Sequence, residues 1–185
     1  MLQPLEKDFK GLVTISGPIN SGKSEFAEFL IKDQNSISYI ATSKLRPNDA
    51  EWREKINIHR KRRPLSWKLL ECPMDICKSI QSLGQNESIL IDSLGGFVEQ
   101  HLSVNDKNWD HICVDLVRCI SDSNLGIIIV MEEIGWGVVP GTPIGHNFRN
   151  RLCNLSLKLS RCSIRKWLVV QGTAIDLDLN GSRIP

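Results

Sequence analysis

The chain has 185 residues, a length that suits one domain over residues 1–185 with a continuous sheet covered on both faces. Apolar residues make up 41% and charged residues 24%, and 23 basic against 21 acidic side chains leave a net charge of +2. That balance argues against a nucleic-acid or membrane surface built on bulk charge, and no apolar run approaches the roughly 18 residues of a membrane span. The polar start MLQPLEKDFK lacks the apolar centre of a secretory leader, so a cytoplasmic location is expected. The six cysteines form no CxxC pair and show no zinc spacing with histidine, so reduced thiols are expected.

In chain order, short β-branched runs alternate with helical patterns. Leu12–Ser16 reads as a strand, followed by a Gly-containing loop and a helix with Phe26, Phe29 and Leu30 on one stripe. Ser38–Thr42 reads as a strand, Asp49–Arg60 as a charged helix, Trp67–Glu71 as a strand and Met74–Leu83 as a helix. Ser88–Asp92 has the pattern of a buried strand, and helices are expected over Leu94–Leu102 and Trp109–Asp122. Gly126–Met131 is the most apolar strand, Asn147–Ser160 a long helix and Lys166–Gln171 the last strand. This alternation predicts an α/β protein with a mostly parallel central sheet and helices on both faces. Residues 1–10 and 177–185 read as loosely held ends.

The segment Gly17-Pro18-Ile19-Asn20-Ser21-Gly22-Lys23-Ser24 matches G-x-x-x-x-G-K-[ST] between a strand and a helix. Such a loop turns backbone N–H groups toward phosphate oxygens at the positive end of a helix. Lys23 is placed to reach the β- and γ-phosphates of a nucleoside triphosphate, and the Ser24 hydroxyl to join a Mg²⁺ ion. Pro18 removes one N–H from that cradle. A second carboxylate for the metal is expected at the end of a neighbouring strand. Asp92 is the first candidate, with Glu132 and Glu133 as alternatives.

Further landmarks follow in order: Tyr39-Ile40-Ala41-Thr42-Ser43, then Glu51 through His59-Arg60 to Arg63-Pro64, then Ile89-Leu90-Ile91-Asp92-Ser93. Glu133-Ile134-Gly135-Trp136-Gly137-Val138-Val139-Pro140 and Phe148-Arg149-Asn150 complete the series. With the P-loop, these blocks resemble the bifunctional adenosylcobinamide kinase/adenosylcobinamide-phosphate guanylyltransferases of cobalamin biosynthesis, over most of the chain.

The resemblance implies a RecA-like P-loop NTPase fold, a homotrimer and two activities. One phosphorylates the aminopropanol hydroxyl of cobinamide, a corrinoid, with ATP or GTP. The other transfers GMP from GTP to the new phosphate through a guanylylated histidine, which matches His59. Glu51 matches an acidic residue near the nucleotide, and Arg60, Arg62 and Arg63 stand where they can offset phosphate charge. On its residues alone, His59 in INIHRKRRP is a surface histidine at the basic end of a helix.

The chain departs from the family's pattern at several positions. Pro18 replaces a second loop glycine, Glu132 an asparagine, Gly95 a threonine and Asn150 an aspartate, and Cys153–Leu157 replaces a G-R-x-N-Q block. These changes leave open another P-loop small-molecule kinase, or a nucleotide-binding paralogue that transfers nothing.

Overall fold

The computed structural model describes residues 2–44, 46, 48–137 and 139–184. Val138 of the Glu133–Pro140 block and the two terminal residues lie outside this set. The elements are β1 (Gly11–Gly17), α1 (Lys23–Ile31), β2 (Ile37–Ala41), α2 (Ala50–Arg62), β3 (Lys68–Glu71), α3 (Ile76–Gln81) and β4 (Ser88–Asp92). They continue with α4 (Leu94–Gln100), α5 (Asp106–Ser121), β5 (Gly126–Glu132), α6 (Pro143–Cys162), β6 (Arg165–Val170), β7 (Thr173–Asp176) and α7 (Leu177–Asn180).

Seven strands form one sheet in the order β3-β2-β4-β5-β1-β6-β7. All pairings are parallel except β6 with β7. Side chains alternate between the two faces, as the two-residue period of a strand requires. Ile89, Ile91, Ile127 and Ile129 pack with α3, α4, α5 and α6 on one face. Leu90, Ile128, Val130, Val13 and Ile15 pack with α1 on the other. Because both faces are covered, the central strands are apolar throughout.

Local signals set the ends of the elements. Asn105 accepts from Asn108 N and starts α5 earlier than the apolar stripe suggested. Thr142 caps α6 with Pro143 in its first turn, so that helix opens before Asn147.

The strand expected to be last is followed by another. Gln171 and Gly172 both have positive φ and form a two-residue turn into β7. The chain beyond is also held. Asp176 accepts from Asp178 N and Leu179 N to cap α7, and Asp178 accepts from Lys166 N. At the other end, Leu5 N bonds to Leu30 O and Asp8 N to Gln34 Oε1. Residues 5 and 8 thus bond to α1 and to Gln34 beyond it, and residue 178 bonds to β6.

Helix α2 is held differently. None of its described side chains is buried, and no apolar stripe seats it on the sheet. It is fastened by charge: Arg62 grips Glu28 through Nε at 2.5 Å and Nη2 at 2.9 Å, and pairs with Glu25. Both acids belong to α1, the helix that follows the P-loop.

Candidate active site

The C-terminal ends of β1, β4 and β5 face one cleft of about 540 Å³. Open parallel sheets bind ligands there, outside the carboxyl ends of their strands. Residues 19–24 form one wall. Gly22, at φ 92°, takes a left-handed conformation that turns the loop into α1 and that a Cβ would oppose. Gly17 ends β1, and its carbonyl accepts from Glu133 N. The Lys23 ammonium donates to the Pro18 carbonyl at 2.9 Å. Pro18, which has no N–H to offer a phosphate, thus contributes an acceptor to the lysine.

Asp92, at the end of β4, lies at the centre of the cleft. Its Oδ1 accepts from Ser24 Oγ at 3.4 Å and its Oδ2 from Tyr39 OH at 2.5 Å. The register explains the second contact. Tyr39 is the Cα partner of Leu90, and Asp92 stands two residues further on, on the same face. Burial and the Asp92 carboxylate hold the Tyr39 phenol well above its ordinary pKa, so it stays a donor.

Helix α2 forms the opposite wall with Trp52, Ile56, His59 and Arg63. These positions are spaced by 4, 3 and 4 residues, one face of a helix. His59 Nδ1 lies 3.7 Å from Asp92 Oδ2 and 3.3 Å from Arg62 Nη2. Desolvation pushes the His59 pKa below its ordinary value; Asp92 opposes this and Arg62 reinforces it. A guanidinium only donates, so its contact with Nδ1 favours the neutral imidazole. The Arg63 guanidinium lies 4.1 Å over the Tyr39 ring, and Nε donates to the His59 carbonyl at 3.0 Å. Its Nη1 is buried with no hydrogen-bond partner among the described residues, a donor available to an anion.

Lys23, Ser24, Asp92, His59 and Arg63 therefore share one cleft. Glu51 and Arg60 do not line it. Glu51 sits exposed in the first turn of α2, where a carboxylate complements the helix dipole. Arg60 is turned outward and pairs with Glu71 at 2.7 Å.

The alternative carboxylates have other partners. Glu132 accepts from Ser93 Oγ and, at 2.9 Å, from Gly95 N; burial pushes its pKa up. Glu133 is also shifted upward by burial, with a hydrogen bond from Ser16 opposing the shift. A Cβ on Gly95 would stand 2.7 Å from Glu132 Oε2, so the Glu132 carboxyl fills the space beside that glycine. Two departures from the family's pattern are thus one coupled arrangement. Of the others, Asn150 and Cys153 lie exposed on α6, whereas Leu155 is buried against the sheet. Sequence reasoning did not single out Tyr39 or Ser93 as members of this site, and it expected Arg62 beside phosphate rather than clamped to Glu25 and Glu28 of α1.

A phosphate-binding loop at the end of a strand in a mostly parallel sheet, with a carboxylate facing its serine, defines a P-loop NTPase of RecA-like architecture. A solved type III secretion ATPase shares the fold, with a TM-score of 0.57 and 10% identity over 94% of this chain. The chain spans 59% of that protein's length. The model of the family described as cobinamide kinase / cobinamide phosphate guanyltransferase matches residues 13–177, and the chain belongs to that family. Similar to it are the bifunctional adenosylcobalamin biosynthesis protein CobU of Salmonella typhimurium and CobP of Pseudomonas aeruginosa. The first is 27% identical over 90% of this chain and 99% of its own length. The second is 34% identical over 68% of this chain and 73% of its own. The protein is thus a nucleotide-dependent transferase.

Proposed function

We propose that the protein phosphorylates the aminopropanol hydroxyl of adenosylcobinamide from a nucleoside triphosphate, then transfers GMP from GTP to that phosphate through guanylylated His59. The observation that carries this reading is the placement of His59 in the P-loop cleft, 3.7 Å from Asp92. Residues of the P-loop, the Asp92 carboxylate and the His59 imidazole line one cleft.

In the first transfer the acceptor oxygen bonds to the γ-phosphorus, the β–γ bridging bond breaks and the alcohol proton is released. Lys23 offsets charge on the transferring group. Ser24 Oγ and Asp92 Oδ1 are hard oxygens 3.4 Å apart. They suit Mg²⁺, which takes few protein ligands and completes its shell with phosphates and water. When bound, the ion supplies charge neutralisation across the phosphates. Among the described residues no three acidic, histidine or cysteine side chains converge as a metal cage, in keeping with an ion that is carried in part by its nucleotide.

In the second transfer an imidazole nitrogen bonds to the α-phosphorus and pyrophosphate leaves. The acceptor's phosphate oxygen then displaces the imidazole. The lowered pKa of His59 keeps its lone pair available at neutral pH. The unpartnered Arg63 Nη1 is available to an equatorial phosphate oxygen.

Incubation with GTP labelled at the α-phosphate is expected to leave GMP on His59, in an acid-labile and alkali-stable bond. His59→Ala should abolish the label yet keep phosphorylation of cobinamide. Label retained at another residue in that variant refutes the histidine assignment. The family resemblance, together with the exposed apolar side chains of Trp136, Val139 and Ile144, supports a homotrimer, to be checked by sedimentation equilibrium. No helix among the described residues is long and apolar enough to cross a membrane.

A further inference from the structure

We propose that Tyr39 is a positioning residue that orients the Asp92 carboxylate toward Ser24 and, through Arg63, fixes the end of α2 that carries His59. This rests on the assignment of Ser24 and Asp92 to the metal side of the nucleotide site.

Tyr39 is buried on β2, lines the cleft and contacts both Asp92 and Arg63. Its hydroxyl donates to Asp92 Oδ2 at 2.5 Å, which commits that oxygen and leaves Oδ1 facing Ser24 Oγ at 3.4 Å. An aspartate has two torsions to fix. Strand pairing sets the backbone, but only a directional donor sets the plane of the carboxylate. The phenol is that donor. On its other side the ring carries the Arg63 guanidinium at 4.1 Å, a cation–π contact, and Trp67 stacks on it at 6.3 Å. Arg63 in turn holds the His59 carbonyl at 3.0 Å. One side chain therefore joins the carboxylate of β4 to the terminal turn of α2. Since none of the described side chains of α2 is buried, this link acts with the Arg62 grip on α1, the Arg60–Glu71 pair and the His59–Asp92 contact to register His59 against the P-loop.

Tyr39 is the only tyrosine in the chain, which makes the test direct. The affinity for GTP is measured by calorimetry in EDTA and again in Mg²⁺, and the ratio of the two Kd values taken as the metal enhancement. Removing a hydrogen bond to a charged group should reduce that enhancement about tenfold in Tyr39→Phe, while the EDTA affinity, set by the loop and Lys23, stays unchanged. Both transfers should lose kcat with little change in KM for the acceptor. In an Asp92→Asn background, Tyr39→Phe should make no further difference to the enhancement, a result a general packing role would not produce. Independently of any variant at position 39, 3-fluorotyrosine places one ¹⁹F resonance in the protein. It should shift on addition of Mg²⁺ with GTP, but not with GTP in EDTA, and the shift should vanish in Asp92→Asn.

A Tyr39→Phe enhancement equal to that of the parent, or a fluorine resonance indifferent to Mg²⁺, overturns the role of Tyr39. A parent protein whose GTP affinity ignores Mg²⁺ overturns the metal assignment itself and this proposal with it.

Discussion

Gly95→Ala is expected to destabilise the protein, although alanine is the better helix former and position 95 lies in the first turn of α4. The new methyl would stand 2.7 and 2.8 Å from the two Glu132 carboxylate oxygens. That carboxylate is the flexible end of its side chain, but it is not free to withdraw. It accepts from Ser93 Oγ and from Gly95 N at 2.9 Å, and moving it gives up at least one of these bonds. A hydrogen bond to a charged group contributes about 1.5–3 kcal/mol. Against this stands a helix-propensity gain of at most about 1 kcal/mol for replacing glycine. The net expected cost is about 1–2 kcal/mol, or a fall of about 2–8 °C in Tm for a chain this long. Glu132→Asn shortens the side chain by one methylene and withdraws the polar group from the glycine. In that background Gly95→Ala should be neutral or mildly stabilising. The assay is urea unfolding of the four proteins of the cycle, with the coupling energy as the quantity of interest. Equal costs of Gly95→Ala in both backgrounds, with coupling below about 0.5 kcal/mol, would refute the claim that the two positions compensate each other.

Arg62→Met removes the cation from two carboxylates of α1, and Glu28, with a side chain 10% exposed, is left unpaired. Breaking a buried pair costs about 3–5 kcal/mol; with Arg62 itself 25% exposed we expect about 2 kcal/mol, much of it recovered by adding Glu28→Gln. Because none of the described side chains of α2 is buried and polar contacts hold it, hydrogen exchange should rise in α2 before the strands are affected. The third expectation concerns pH. Single-turnover guanylylation should stay flat as pH falls through 6.5 and decline only below it, since desolvation and Arg62 depress the His59 pKa. The sign for stability is the reverse of that of an ion-paired histidine. The unfolded chain takes up the proton at higher pH than the native one, so His59 subtracts stability as pH falls from 6.5 through its native value. An acid limb centred at or above 6.5 would contradict the placement of His59 in the cleft.

The sheet and the phosphate loop were legible because their signals are local: β-branched runs, a glycine-rich turn and an amphipathic helix within about thirty residues. Strand β7 was not, being four residues long and paired to its neighbour by a turn whose one sequence mark is Gln171-Gly172. The site was legible where a motif named it and obscure where partners are distant in the chain. Arg62 and Glu28 are 34 residues apart, and Tyr39 and Asp92 are 53 apart. Glu51 and Arg60 illustrate the opposite case. Each is next in sequence to a residue that faces the cleft, yet one step along a helix turns a side chain by about 100° and carries it out of the cleft. Proximity in a motif is not proximity on a helix face.

The contact between Lys23 and the Pro18 carbonyl bears on which nucleotides the loop retains. A phosphate oxygen that replaces the loop's own carbonyl on the ammonium returns a bond in place of one already made, improved only by the phosphate's charge. Net affinity must come from the surplus, the additional oxygens that a ligand brings to the ammonium and to the backbone amides around it. A monophosphate offers little surplus, and a triphosphate with two phosphoryl groups beside the lysine offers much more. If this loop holds the nucleotide as proposed, GDP is expected to compete with GTP less well than GTP competes with itself, which displacement titration measures.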